Sequence, residues 1–160
     1  MWKVLASVAA AATLAGCASS SFVGSESATG TVRQFLEAAA ARDGAAACGL
    51  LNGHGQQLMA AYAQRAGASA RSCQQTVSRL GALPGSQDWD EMARGTICVY
   101  GTEGRDSQAI VVLYTRRRTR VMAAGSVQQV LGPGYRLTVP PTPERAKVGS
   151  APPGTPKCDS

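Results

Sequence analysis

The chain has 160 residues, enough for one domain with tails, and its 44% hydrophobic content is ordinary for a globular protein. Only 5% of residues are aromatic, which points to a modest core of small side chains. Sixteen basic against ten acidic residues give a formal charge of +6. In a cytosolic protein that balance would raise nucleic acid as a partner, a reading that the N-terminus excludes.

The first seventeen residues end in Leu14-Ala15-Gly16-Cys17. Lys3 precedes an uncharged apolar run from Val4 to Ala12, and small residues then lead to the cysteine. That is the layout of a secretory signal peptide. With its terminal cysteine it resembles the lipobox of bacterial lipoproteins, in which the thiol receives a diacylglyceryl group and becomes the first residue of the mature chain. From Val4 to Gly16 the segment makes about 20 Å of helix, too short for a hydrocarbon core of ~30 Å. Ordinary cleavage after Ala18 is one alternative, and a buried cytosolic helix is another. The alanine run shows no amphipathic period for such a helix. Residues 1–16 are therefore expected as a leader, and 17–28 as a lipidated N-terminus with a serine-rich linker. As a flexible chain that linker would hold a domain ~15–20 Å from the membrane. Outside the membrane the available polyanions are lipid headgroups and wall polymers, not nucleic acid.

Residues 29–139 divide into a helical and a stranded half. Thr31 with Gln34 reads as a capping box, and Val32, Phe35, Leu36 and Ala39 then form one apolar stripe. Arg42 and Asp43-Gly44 end that helix, and Asp43 is placed to cap a short second one carrying Ala47, Cys48 and Leu51. Gly53-His54-Gly55 is expected to break it, before a third helix with Leu58, Met59 and Tyr62 on its apolar side. Ser72 with Gln75 repeats the capping pattern ahead of Cys73, Val77 and Leu80, with a stop at Gly81. Pro84-Gly85 then changes the pattern, and Trp89, among Asp88, Asp90 and Glu91, is expected in a loop or irregular strand.

Strands are expected at 96–100, 109–114, 119–124 and 135–139, the second as a central strand because its apolar run is continuous. Turns fall at 101–104, at Arg116-Arg117-Arg118 and at Gly132-Pro133-Gly134. Helices followed by antiparallel strands predict an α+β fold. From Pro140 to Ser160 the chain is proline-rich and reads as an extended tail, ordered only if Cys158 ties it down.

Beyond Cys17 four cysteines remain, an even number that reads as disulfides in an exported chain, with three possible connectivities. No C-x-x-C and a single histidine argue against zinc. The preferred pairing is Cys48–Cys73 with Cys98–Cys158. The first would close a loop in the helical half worth ~3–4 kcal/mol, and the second would staple the tail to a strand. A free, buried Cys98 is the competing reading.

The block from Thr31 through Leu51, with Cys73, Val99-Tyr100-Gly101 and Val121-Met122-Ala123-Ala124-Gly125, resembles small actinobacterial lipoproteins related to the nuclear-transport-factor-2-like superfamily. The resemblance runs over residues 31–139 and rests on diffuse motifs without a catalytic signature. It implies a cone-like domain, N-terminal helices packed on a curved antiparallel sheet around a cavity, and it supports pairing Cys48 with Cys73. It also implies two further cysteines, at places occupied here by Ser126 and Leu137.

The cone fold serves enzymes and non-enzymes alike, so function has to come from residues. Enzymatic members resembling ketosteroid isomerases, polyketide cyclases or epoxide hydrolases place a carboxylate at the cavity wall, with tyrosines or a histidine. Here Asp43 reads as a cap, Asp88, Asp90 and Glu91 as loop residues, and Glu103 and Asp106 as flanks of a turn. Tyr100 and Tyr114 could face a pocket or pack with their hydroxyls at a rim. His54 sits between glycines, no G-x-S-x-G elbow is present, and no glycine-rich loop suggests a nucleotide. No cofactor and no catalytic residue are expected. Arg116, Arg117, Arg118 and Arg120 read either as a solvated hairpin turn or as a contact for anionic lipid or wall polymer. The sequence thus predicts an exported, lipid-anchored, non-catalytic envelope lipoprotein held to the membrane through Cys17. It would bind a partner, a wall polymer or a small ligand. The alternative is a pocket enzyme of the isomerase or cyclase type.

Overall fold

In the computed structural model, residues 27–101, 108–117, 120–130, 134–143 and 155–159 are described. The leader, Cys17, most of the linker, Glu103, Asp106, Arg118 and much of the proline-rich tail lie outside them. The described chain is α+β: helices come first, and an open antiparallel sheet follows.

Helix α1 spans Ala28–Ala40, starting three residues before the expected Thr31. Ser27 is the N-cap, and its hydroxyl accepts from Gly30 N at 3.0 Å. Thr31 instead lies inside the first turn, buried, and its hydroxyl donates to Ser27 O at 3.1 Å. Ser27 is a good cap residue by type, and starting there lets Ala28 pack on the core and extend the apolar stripe. Arg42 takes a left-handed φ of 63°, and the amides of Arg42 and Asp43 return to Ala39 O and Ala38 O, a Schellman ending. Asp43 caps α2 (Gly44–Gly49) as expected, accepting from Ala46 N at 2.9 Å.

The glycines flanking His54 open a helix instead of breaking one. Helix α3 spans Gly53–Arg65, capped by Asn52, whose Oδ1 accepts from Gly55 N at 2.8 Å. A good cap outweighs two poor helix formers in a first turn, where most amides have no partner within the helix anyway. Met59 and Tyr62 face the core, while Leu58 is only half-buried. Ser72 caps α4 (Cys73–Ser78), and a 3₁₀ turn at Leu80–Ala82 carries the chain on. Pro84-Gly85 leads into a fifth helix, α5 (Ser86–Ala93), with Gly85 left-handed at its start. Trp89 is therefore helical, and fully buried. Only Trp89 and Met92 mark the inner face of this two-turn helix, too few positions for a period to show in sequence.

Strands β1 (Thr96–Tyr100), β2 (Gln108–Tyr114), β3 (Val121–Gln129), β4 (Tyr135–Val139) and β5 (Lys157–Cys158) form one sheet in the order β4-β3-β2-β1-β5. β2 is central, as its apolar run required. β3 runs to Gln129, five residues past its expected end, because β4 pairs with its far half. Pleating sends Ile97, Val111, Leu113, Val127 and Leu137 to the helix-covered side, where Phe35, Leu36, Met59 and Trp89 meet them. Trp89 receives Phe35 and Tyr62 edge-on, with ring centroids 6.3 and 5.9 Å away. The other side carries a smaller cluster of Cys98, Tyr100 and Val112, joined by Tyr114, Val121 and Cys158. No helix of the described residues is long and apolar enough to cross a membrane.

Candidate functional site

The disulfides are Cys48–Cys73 and Cys98–Cys158. The second lies directly across the β1–β5 ladder, where Cys98 is paired with Cys158 at a Cα–Cα distance of 4.0 Å. Asp159 N donates to Ile97 O at 2.9 Å, so the neighbouring pair is the hydrogen-bonded one. Cys98 and Cys158 thus occupy a non-hydrogen-bonded pair, the antiparallel position where side chains stand closest.

Asp159, one residue on, completes a clamp that sequence reasoning missed. Its Oδ1 accepts from Ile97 N at 2.7 Å, and its Oδ2 pairs with the Arg33 guanidinium. Arg33 also donates to Ala93 O at 2.5 Å and to Gly95 O at 2.8 Å. One arginine on α1 therefore holds the end of α5, the entry to β1 and the C-terminal strand together. At the opposite edge of the sheet, the segment between α2 and α3 pairs with β4 at one residue. Leu51 bridges Leu137, Asn52 N donates to Leu137 O at 3.1 Å, and Leu137 N donates to Leu50 O at 3.0 Å.

The two tyrosines share the face turned away from the helices, with their hydroxyls 3.0 Å apart. Four of the described acids have structural places. Asp43 caps α2, Asp159 belongs to the clamp, Asp90 faces Arg42 at 3.8 Å and Glu91 faces Arg120 at 3.8 Å. His54 is exposed in the first turn of α3. Ser126 and Leu137 do not face one another. A bulge at Thr138 puts its hydroxyl 2.6 Å from Ser126 Oγ, while Leu137 turns into the core. Among the described residues no group of three or more His, Cys, Asp or Glu is placed to hold a metal ion.

Of the arginine cluster, Arg116, Arg117 and Arg120 are described and all are exposed. They sit in the turn between β2 and β3, where Thr115 N donates to Arg120 O at 2.9 Å. Beside them a cleft of about 210 Å³ is lined by Asp88, Glu91, Met92, Arg120, Met122 and Pro143. A second cleft, about 260 Å³, lies over Cys48–Cys73, with Gln56, Ser72 and Gln74 on its walls.

No family model, no curated protein and no solved structure matches this chain.

Proposed function

We propose that this protein is an exported, lipid-anchored component of the bacterial cell envelope, and that its cone-like, nuclear-transport-factor-2-like domain binds rather than catalyses. The observation that carries the proposal is the fate of the sulfur atoms. Four of the five cysteines are consumed in two disulfides, pairings that belong to an oxidising compartment. The fifth, Cys17, stands at the end of the apolar leader, where a lipobox requires it. Two or three acyl chains on one cysteine make a stable anchor, since each buried methylene adds ~0.8 kcal/mol.

A binding role is supported by how the interior is used. Trp89, Phe35, Leu36, Met59, Ile97 and Leu113, all fully buried, occupy the space between helices and sheet. A pocket enzyme would need a carboxylate and a tyrosine converging there; Tyr62 lies in that space, but among the described residues no Asp or Glu is buried beside it, and Tyr100 and Tyr114 face the other way. The domain would instead present surfaces, to a partner protein, a wall polymer or a small apolar ligand.

The test is the intact mass of protein extracted from membranes with detergent, before and after reduction. The expected mass lacks residues 1–16, carries a diacylglyceryl group, and rises on reduction by the hydrogens of two disulfides. Recovery from the soluble fraction with residues 1–16 in place and Cys17 unmodified would overturn the proposal.

A further inference from the structure

The arginine turn shares its end of the sheet with two other features. Thr96, the first residue of β1, pairs with Tyr114, the last residue of β2, just before the turn. Arg94, exposed at the close of α5, lies two positions ahead of Thr96. Arg120 reaches back across this corner to Glu91, one helical turn before Arg94. Four described arginines, Arg94, Arg116, Arg117 and Arg120, are therefore carried at one corner and exposed, with Arg118 between them in sequence.

Helix α1 is fastened to the same corner, because Arg33 donates to Ala93 O and Gly95 O. About 9 Å of helix separates Arg33 from Ser27, the N-cap at which the segment from Cys17 arrives. The ten steps from Cys17 to Ser27 span at most ~36 Å, whatever their conformation. A lipid on Cys17 therefore keeps this corner within reach of the leaflet.

We infer that this arginine corner docks on the anionic lipid headgroups of the leaflet that carries the Cys17 anchor. The inference rests on the lipid-anchored reading above. Guanidinium groups bind phosphate oxygens in pairs. The attraction of a charged leaflet fades within a Debye length of ~8 Å, so it acts only when the corner touches the surface, a contact that the tether on Cys17 permits and makes frequent. The opposing groups are few. Asp90 already faces Arg42, and Asp88 and Glu91 line the cleft beside Arg120. Arg120 is 70% exposed and 3.8 Å from a carboxylate that is itself 47% exposed, so the pair is loose enough for a headgroup phosphate to displace it.

The experiment uses the full chain with Cys17→Ser, so that lipidation plays no part. Partitioning is measured by cosedimentation on phosphatidylglycerol–phosphatidylcholine vesicles and on pure phosphatidylcholine vesicles, at low and physiological salt. The ratio of the two cancels the apolar part of the leader's contribution, and comparison with the arginine variant, which keeps Lys3, cancels its charge. A ratio well above one that falls with salt is expected. Arg116→Gln with Arg117→Gln and Arg120→Gln should lower it roughly a hundredfold, at about fivefold per charge. Glu91→Gln should raise it a few-fold by releasing Arg120. All four sites are exposed, and far-ultraviolet circular dichroism confirms that each variant is folded. A ratio that the arginine variant leaves unchanged, whether near one or raised by Lys3 alone, overturns the inference. So does retention on insoluble wall fragments without preference for anionic vesicles, which assigns the corner to a wall polymer. Failure of the lipid-anchor reading appears separately, in the mass of the membrane-extracted protein.

Discussion

Cys48–Cys73 lies between two helices that pack on each other in any case, whereas Cys98–Cys158 holds a two-residue strand against the edge of a sheet. In the helical layer, α2 reaches α4 because Gly44 has no side chain. A Cβ there would stand 2.6 Å from Gln74 O, beside Cys73. Asp43 and Ser72 cap the two helices, and both cysteines are buried among apolar neighbours. At the sheet edge, Lys157 is exposed and Cys158 only half-buried. What holds β5 is the ladder, the disulfide and the Asp159 carboxylate, not apolar burial. The difference separates two uses of a cross-link. One reinforces a contact that packing already makes. The other creates a contact that two residues could not sustain alone.

The sharpest way to break that contrast is to remove each bond in turn. Replacing Cys98 and Cys158 by serine should cost roughly 4 kcal/mol in urea unfolding, since the bond spans a sequence separation of 60. Amide exchange at Ile97 and Val99 should then rise, because β5 leaves; unchanged protection there would mean that Asp159 suffices. Replacing Cys48 and Cys73 should cost about 3.5 kcal/mol for a separation of 25. Exchange in α2 and α4 should stay slow relative to global unfolding, because their packing survives. Early exchange in α2 would show that the bond creates the contact after all.

Smaller changes refine the same comparison. Asp159→Asn, with the disulfide intact, should cost about 1.5–3 kcal/mol by weakening charge-assisted hydrogen bonds to Arg33 and Ile97. A double-mutant cycle with Arg33→Gln should show coupling of similar sign, and additive losses would dismiss the clamp. Gly44→Ala should cost about 1–3 kcal/mol by forcing α2 off Gln74, read from the urea midpoint. Ser27→Ala should remove about 1 kcal/mol through its cap, with Gly30 amide exchange as the local reporter. A null result there would move the start of α1 toward Thr31.

Local rules determined much of this protein from sequence alone. Asp43 and Ser72 cap where a short polar side chain precedes an apolar run, and β1, β2 and β4 lie where β-branched residues run or alternate. The class of the fold follows from helices preceding strands, and the pairing of four cysteines was suggested by their even number. These features depend on neighbours within a few residues, or on counting. Tertiary structure decided the rest. Trp89 is helical because Phe35 and Tyr62 bury it, and two inward positions carry too little periodicity to show that beforehand. The start of α1 at Ser27, not at the expected Thr31, goes with Ala28 packing on the core. Arg33 and Asp159 lie 126 residues apart and bear no motif, so only the closed fold could bring them together. The gathering of Arg94 with Arg116, Arg117 and Arg120 has the same cause: sheet register puts the start of one strand beside the end of another, and no local pattern encodes register.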